Sequence, residues 1–382
     1  MTQNVNSTHA TAIPVLSFFA GGGFMDIGFE LAGFSVIWGN EVSEATAAMY
    51  AAGLESWRSS RNGKSTRASM PLIVKNVETL TVQGIEKQAF GSVKPEFFGV
   101  IGGPPCQDFS HSGTDLGING DRGKLTQVYV DLILGLTPSF FVMENVPGLY
   151  RTKHRPFFQK IIEQLENSKP GYLTDFQILS ALELGLPQDR ERLFLIGFRK
   201  DLLSPSLVNR PLLDKQCRWF PWPAKKYRNP KKLPWPTTSP FGVEDIPLPQ
   251  NLPVDLMVCD LLDDRVEALP NGLEIFRPRS DKFPRIPEGD VSGKSFKRLH
   301  RYRYSPTVWY GNNEVHLHPW KPRRLSIREA LRLQTVPDEY VLPSDFPLTQ
   351  KFRIISNGVP TRMAEHVAKS VKQFADEMEL LD

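Results

Sequence analysis

Val15-Leu16-Ser17-Phe18-Phe19-Ala20-Gly21-Gly22-Gly23-Phe24-Met25-Asp26 joins a short apolar run to three consecutive glycines and then to a second apolar stretch. A run of that kind reads as a strand, and glycines directly after it read as a tight turn that opens a helix and lets the backbone approach a ligand closely. The spacing departs from the dinucleotide fingerprint. Counting two and five residues on from Gly21 reaches Gly23 and then Asp26, where a third glycine would stand. Glu41 closes the next apolar run, about twenty residues on, where a carboxylate can accept hydrogen bonds from ribose hydroxyls. Turn and acid together favour a nucleoside-type ligand over a plain tight turn.

Outward from this turn, the first half of the chain alternates short apolar runs with amphipathic stretches, the pattern of βαβ units in a mostly parallel sheet. The runs predict strands over Val15–Phe19, Phe34–Gly39, Leu72–Lys75, Phe97–Ile101 and Phe140–Met143, with a closing pair at Phe176–Ala181 and Arg192–Phe198. Helical patterns lie between them at Ser43–Ala52 and Pro156–Leu165. Beyond about Leu203 the texture becomes proline-rich, aromatic and basic, with Trp219, Trp222 and Trp235 among prolines. Regular structure resumes near Leu325: Ser326 and Glu329 form a capping box for a helix over Ile327–Leu333. A last helix over Thr361–Leu380 puts Met363, Val367, Val371, Phe374 and Met378 on one face, which needs the sheet as partner. The expected organisation is a larger α/β domain, 1–204, a small irregular inserted domain, 205–322, and a segment, 323–382, that returns to the first.

With 382 residues and 40% hydrophobic content the chain can bury a sizeable core. Three cysteines, Cys106, Cys217 and Cys259, are too few and too scattered for a disulfide framework or a four-ligand zinc site, so a reducing cytoplasm and no metal are expected. Neither a signal peptide nor a membrane span is legible at the N-terminus, and no membrane partner is expected. The net charge of +4 is unevenly spread: residues 271–324 hold twelve Lys/Arg against five Asp/Glu, so that segment is +7 and the remainder −3. Lys225, Lys226, Arg228, Lys231 and Lys232 around Tyr227 form a second basic surface.

Pro104-Pro105-Cys106 follows the strand that ends near Ile101, which puts a thiol at the carboxyl end of the sheet, where open α/β folds bind ligands. Most lone cysteines are buried and inert. The flanking glycines and prolines and the polar Gln107-Asp108 argue against a core position here. Glu144-Asn145-Val146 brings a carboxylate to the same rim, where an apolar strand end can raise its pKa and keep it protonated, as a proton donor must be; a solvated strand-end acid is the alternative reading. Gln188, Arg190 and Arg192 alternate across a strand entry and so share one face, suited to an anion or a base edge.

Taken in this order, these segments resemble the DNA (cytosine-5) methyltransferase family, over nearly all of the chain outside about residues 205 to 300. The matching motifs are Phe19 to Gly23, Glu41, Pro104-Cys106-Gln107, Asp121-Arg122-Gly123 with Leu125, Glu144-Asn145-Val146 and Gln188-x-Arg190-x-Arg192. Arg328-Glu329 to Arg332-Leu333-Gln334 and Asn357-Gly358-Val359-Pro360 complete the set. The resemblance implies a Rossmann-like S-adenosylmethionine-dependent fold with an inserted target-recognition domain. It implies that Cys106 attacks the cytosine and that Glu144, Arg192 and the Pro104 carbonyl read the flipped base, while Arg190 holds the site or a phosphate. S-adenosylmethionine is the implied cofactor, with Phe19, Ala20, Gly21, Gly23, Glu41, Asn76, Val77, Pro104, Leu125, Asn357 and Gly358 around it. Three positions depart from the family pattern: Phe24 and Ser356 stand where many members have glycine, and Asn76 where many have an adenine-binding aspartate. An asparagine carbonyl still accepts from an adenine amino group.

The partner implied is double-stranded DNA, with a cognate restriction endonuclease acting separately, and the chain is expected as a cytoplasmic bacterial monomer. Residues 107–123, with glycines at 113, 117, 120 and 123, read as a loop that closes over DNA. Residues of about 205–322 are the expected recognition domain, their basic stretch meeting phosphate, and Thr307-Val308 after Ser305-Pro306 resembles family recognition domains. An N4 or N6 amino-methyltransferase needs an aromatic residue after Pro-Pro, and Cys106 occupies that place. A tRNA cytosine-5 methyltransferase shares the chemistry, but the long recognition segment favours DNA. A non-catalytic DNA-binding relative is disfavoured because Cys106, Glu144, Arg190 and Arg192 are all present.

Overall fold

In the computed structural model, which describes residues 12–62, 71–105, 121–151, 153–208, 218–277, 281–308, 310 and 315–381, the glycine turn leads out of an interior strand of a seven-stranded sheet. The elements in chain order are β1 Ile13–Phe18, α1 Phe24–Leu31, β2 Phe34–Glu41, α2 Glu44–Asn62, β3 Leu72–Val74, α3 Val82–Phe90 and β4 Gly99–Gly102. Then come α4 Asp121–Leu136, β5 Phe140–Asn145, α5 Arg155–Asn167, β6 Tyr172–Ser180, β7 Glu191–Arg199 and α6 Pro205–Val208. The second half adds β8 Phe296–Arg298, β9 Val315–Leu317, α7 Ile327–Leu333, α8 Leu348–Asn357 and α9 Thr361–Glu377.

The sheet order is β3-β2-β1-β4-β5-β7-β6; the first five strands are parallel, and β7 runs antiparallel between β5 and β6. This is the mixed, mostly parallel sheet expected from the apolar runs, with the predicted closing pair as β6 and β7. The order reverses between β1 and β4, so crossovers leave in opposite directions there and a crevice stays open over the strands' carboxyl ends. The glycine turn, Glu41, the Gly103–Pro105 segment and Glu144-Asn145 all lie at those ends.

Alternation along each strand fills two apolar layers. Val15, Val36, Val142 and Ile196 face α1 and α9, while Leu16, Val100, Phe141 and Leu195 face α3, α4 and α5. The stripe on the last helix packs as expected: Met363, Val367, Val371 and Phe374 are buried in the first layer. Helices α1 and α9 approach closely because Gly28 lacks a Cβ; one built there would lie 2.6 Å from the Ala364 Cβ. Helix α7 begins at the predicted capping box, with Ser326 Oγ accepting from the Glu329 N–H and Glu329 Oε2 accepting from the Ser326 N–H. Helix α2 runs ten residues past its predicted end at Ala52. Helix α4 starts at Asp121, so the last three residues of the expected mobile loop belong to its first turn. The rest of that loop, with Cys106, lies outside the described residues.

Gly23, at the entry of α1, adopts φ +74°, and a Cβ on it would come 2.5 Å from Leu54 Cδ1 and 2.7 Å from Tyr50 Cε2. Both the left-handed backbone and the overpacking oppose a side chain. Gly23→Ala is therefore expected to destabilise the protein by roughly 2 to 4 kcal/mol, read as a lowered midpoint in chemical denaturation. An unchanged midpoint would contradict this account of the turn.

Among the described residues between 218 and 322 the backbone is mostly short 3-10 turns and the small parallel pair β8 and β9. Leu182, Trp235, Leu252, Leu256 and Met257 form a small core of its own, while Val258, Leu262, Leu299 and Val308 join a core with α1, α2, α7 and α8. The basic surplus read from residues 271–324 is partly internal. Arg298 is fully buried and donates to the carbonyls of Phe283, Ile286 and Lys321. Arg301 pairs with Glu288, and Lys321 and Arg323 both reach Glu267. In the second basic surface, Lys225, Lys226 and Lys231 pair with Glu183, Asp255 and Asp189. The charge available to a polyanion is correspondingly smaller than the sequence count.

Candidate active site

A cavity of about 830 Å³ opens over the carboxyl ends of β1, β2, β4 and β5, a size in the range of small-molecule sites. The glycine turn forms one wall. Phe19 holds φ 53°, unusual for an aromatic residue, and its ring meets Tyr129 edge-on at 6.0 Å. The Gly21 N–H donates to Glu41 Oε2 at 3.1 Å, and Glu41 Oε1 accepts from the N–H groups of Val42 and Ser43 at 2.9 Å each. The acid at the end of β2 is thus locked against the turn, and Phe19, Ala20, Gly21 and Glu41 all line the cavity. Gly23 does not: it sits behind the turn, packed on Tyr50 and Leu54, so its place in the motif is steric.

Asn76 and Val77 line the cavity beyond β3. Asn76 caps the short turn Val77–Thr79: its Oδ1 accepts from the Glu78 N–H at 3.1 Å and its Nδ2 donates to Glu78 Oε2 at 2.9 Å. One lone pair of the oxygen stays available. Leu125, in the first turns of α4, lines the same cavity, as do Asn357 and Gly358 at the end of α8. Phe24 and Gly358 explain each other. A Cβ on Gly358 would lie 2.2 Å from Phe24 Cδ2, and the Phe24 ring stands edge-on to Tyr340 at 5.5 Å. The bulk at position 24 thus fills the space beside an obligatory glycine.

At the other end of the cavity Glu144 and Arg192 form an ion pair, Oε1 to Nε 2.8 Å, with both side chains largely buried. Burial lifts the Glu144 carboxyl above the ordinary carboxylate range, against the opposing charges of Arg192 and Arg190. Gly103 leaves room for this acid, since a Cβ there would lie 2.8 Å from Glu144 Oε2. Asn145 Nδ2 donates to the Pro104 carbonyl at 3.3 Å, and Asn145 Oδ1 accepts from the Val146 N–H at 2.9 Å. Asn145 therefore ties the end of β5 to the turn that leads into Cys106. Cys106 itself lies outside the described residues, as does Gln107.

Of Gln188, Arg190 and Arg192, expected to share one face, Arg192 lines the cavity while Gln188 and Arg190 are buried. Strand β7 begins only at Glu191, so Gln188 and Arg190 sit in the preceding turn and point into the protein. Arg190, 1% exposed, donates from Nη1 to the Val308 carbonyl at 3.1 Å and from Nη2 to the Ser356 and Gly358 carbonyls at 2.9 and 2.8 Å. Of the two roles expected of it, holding the site fits these bonds to the cavity-lining Ser356 and Gly358, and presenting its guanidinium to a phosphate does not. Gln188 donates to the Leu333 carbonyl and to Gln334 Oε1, and accepts from the Val308 N–H. Thr307 donates to the Asp189 carbonyl. The Ser305–Val308 segment is thereby clamped to the turn before β7, which gives the Thr307-Val308 pair a structural role.

One cluster on the cavity was not read from the sequence. Asp26, counted above only as the missing third glycine, is 1% exposed and accepts from Ser17 Oγ at 2.7 Å and from Tyr50 Oη at 2.6 Å. An acid in the first turn of a largely apolar helix was the available signal. Burial raises its pKa to about 6, although both hydroxyl bonds pull it down. Among the described residues no group of three His, Cys, Asp or Glu side chains is close enough to hold a metal ion, and no helix is long and apolar enough to cross a membrane.

The sequence pattern of the family described as C-5 cytosine-specific DNA methylase matches residues 13–373. The type II methyltransferase M.NmeDI of Neisseria meningitidis serogroup C is 40% identical over 373 residues, which is 95% of this chain and 84% of that protein. The type II methyltransferase M.MthTI of Methanothermobacter thermautotrophicus is 27% identical, over 94% of this chain and 97% of its own. Among solved structures, DNMT2 of Spodoptera frugiperda superposes with a TM-score of 0.58 at 16% identity, covering 94% of this chain and 100% of that one. The methyltransferase EhMeth of Entamoeba histolytica also gives 0.58, at 17% identity over 96% of this chain and 99% of that one. At such identities the structures speak to the fold alone.

Proposed function

The chain belongs to the C-5 cytosine-specific DNA methylase family and is a DNA (cytosine-5)-methyltransferase; from that premise we propose that it modifies one cytosine of a double-stranded DNA sequence, as the methyltransferase of a type II restriction–modification pair, through a covalent bond from Cys106 to C6. The observation that carries the chemistry is the buried Glu144–Arg192 pair beside the turn that leads into Cys106. The type II relative at 40% identity favours DNA over tRNA as substrate.

Cytosine C5 is a poor nucleophile until the ring is made electron-rich, and covalent addition does this. The Cys106 thiolate adds to C6 while Glu144 shares its proton with N3, so the electron pair of the C5–C6 double bond becomes available at C5. Burial raises the Glu144 pKa and so favours the protonated form that N3 needs, and Arg192 fixes the carboxyl toward the base. Once C5 carries its methyl group, loss of H5 to a base restores the double bond and expels the thiolate. The target must leave the duplex to enter such a cavity, at a cost of a few kcal/mol. Residues 205–322 would recognise the DNA.

The cavity fits S-adenosylmethionine in kind: a glycine turn with a fixed carboxylate for ribose, an apolar wall and a polar rim. Phe19, Glu41, Val77 and Leu125 would hold its nucleoside, and Asn357 and Gly358 its methionine end. When bound it supplies the methyl group. We place the chain, as a monomer, in the bacterial cytoplasm, with a separately acting endonuclease.

The test is to express the chain in a host lacking cytosine methylation and to sequence the host DNA for 5-methylcytosine. The expected result is full modification at one recurring sequence. Methylation confined to tRNA would overturn the substrate, and none on either would overturn the activity.

A further inference from the structure

We infer that Asp26, held by Ser17 and Tyr50 beneath the glycine turn, is the site that receives the α-ammonium group of the cofactor's amino-acid end. The inference rests on the cofactor reading above and concerns how one end of that ligand is recognised.

Three observations support it. First, Asp26 lines the cavity although it is 1% exposed, at the start of α1 and behind Gly21 and Gly22. Secondly, its two hydrogen bonds come from neutral hydroxyls, Ser17 Oγ at 2.7 Å and Tyr50 Oη at 2.6 Å. Among the described residues no cation bonds to it. The charged neighbours are Glu30 on α1 and Arg58 on α2, and these neutralise each other: Arg58 Nε donates to Glu30 Oε2 at 3.1 Å and Nη2 bonds to Oε1. Tyr340, the remaining titratable group nearby, donates its hydroxyl to the Gly22 carbonyl. The carboxylate thus faces the cavity with hydroxyl partners and no bonded cation among the described residues. Thirdly, a buried carboxylate without a cation is costly, and the raised pKa reflects that cost. An ammonium group arriving with the ligand would relieve it by a charge-assisted bond.

A merely structural Asp26, bracing α1 against α2, would affect every ligand of the cavity alike. The discriminating probes are S-adenosylmethionine and 5′-methylthioadenosine, which keeps the nucleoside and thioether but has no amino-acid end. Binding is measured by calorimetry on the full chain without DNA. Asp26→Asn is expected to weaken S-adenosylmethionine by about tenfold to a hundredfold and to leave methylthioadenosine unchanged.

In the wild-type chain, affinity for S-adenosylmethionine should rise as pH increases through about 6, where Asp26 loses its proton, and the Asn variant should lose that dependence. Tyr50→Phe removes a bond that lowers the Asp26 pKa, so it should move the midpoint upward while keeping the preference for the charged ligand. Equal weakening of both ligands by Asp26→Asn, or no weakening of either, would overturn the assignment while leaving the cofactor reading intact. Failure of the wild-type chain to bind S-adenosylmethionine at all would overturn both.

Discussion

Wild-type protein mixed with S-adenosylmethionine and duplex DNA carrying 5-fluorocytosine at the target position should form an adduct that survives denaturation, and Cys106→Ser should form none. Fluorine at C5 makes the trap. The thiolate adds to C6 and C5 takes the methyl group, but the final step must remove a proton from C5, and fluorine cannot leave as a proton. The C6–S bond therefore persists. Serine changes one atom and keeps the size, yet its hydroxyl is far less ionised and far less nucleophilic than a thiol. Turnover on ordinary DNA should fall by a factor on the order of 10⁴ to 10⁶, the scale of losing a catalytic nucleophile. Affinity for S-adenosylmethionine should hardly change, since the cavity wall proposed to hold it runs through Phe19, Glu41 and Leu125. An adduct that still forms with Cys106→Ser would end the covalent assignment, whatever the methylation assay showed.

The elements that were legible in advance are those set off by a contrast in polarity, along the chain for the strands and around the axis for the last helix. Strands β1, β2, β4, β5 and β7 read as short apolar runs because they are buried on both faces, and α9 read as a helix because Met363, Val367, Val371 and Phe374 face the sheet while Glu365, Lys369 and Lys372 face away. Helix α4 is the opposite case. Tyr129, Val130, Leu132, Ile133 and Leu136 are buried and Leu125, Val128 and Leu134 partly so, which leaves almost no periodic contrast to read.

At the cavity, residues fixed by backbone geometry were legible, such as Glu41 at a strand end and the turn at Gly21. The burial of Arg190 was not legible, because it sits before the start of β7, where the guanidinium satisfies the carbonyls of Val308, Ser356 and Gly358. Asp26 was overlooked because its significance depends on Tyr50, twenty-four residues away on another helix. No local pattern encodes that meeting.

Glu144→Gln should lower kcat by roughly 10² to 10⁴-fold, and it should do so without weakening the fold at pH 8. Gln keeps the shape and can donate an N–H to the base edge. It cannot give up a proton to N3, so the electron demand that lets the thiol add to C6 is lost. Substrate binding should be nearly preserved, which puts the loss in kcat rather than KM. The stability half of the prediction follows from the direction of the pKa shift.

Burial raises Glu144, with Arg192 and Arg190 only partly compensating. A carboxyl whose folded pKa lies above its unfolded value holds its proton more tightly in the native state. The fold therefore loses stability as pH rises from the unfolded value through the folded one, and by pH 8 that cost is fully present. Gln carries no charge to desolvate, so the cost vanishes in the variant, offsetting the lost attraction to Arg192. Activity and thermal midpoint should consequently part company: a large fall in the first, none in the second. If instead the midpoint dropped several degrees while kcat stayed within threefold of wild type, Glu144 would be a structural partner of Arg192 and the proton donor would have to be sought elsewhere on the cavity wall.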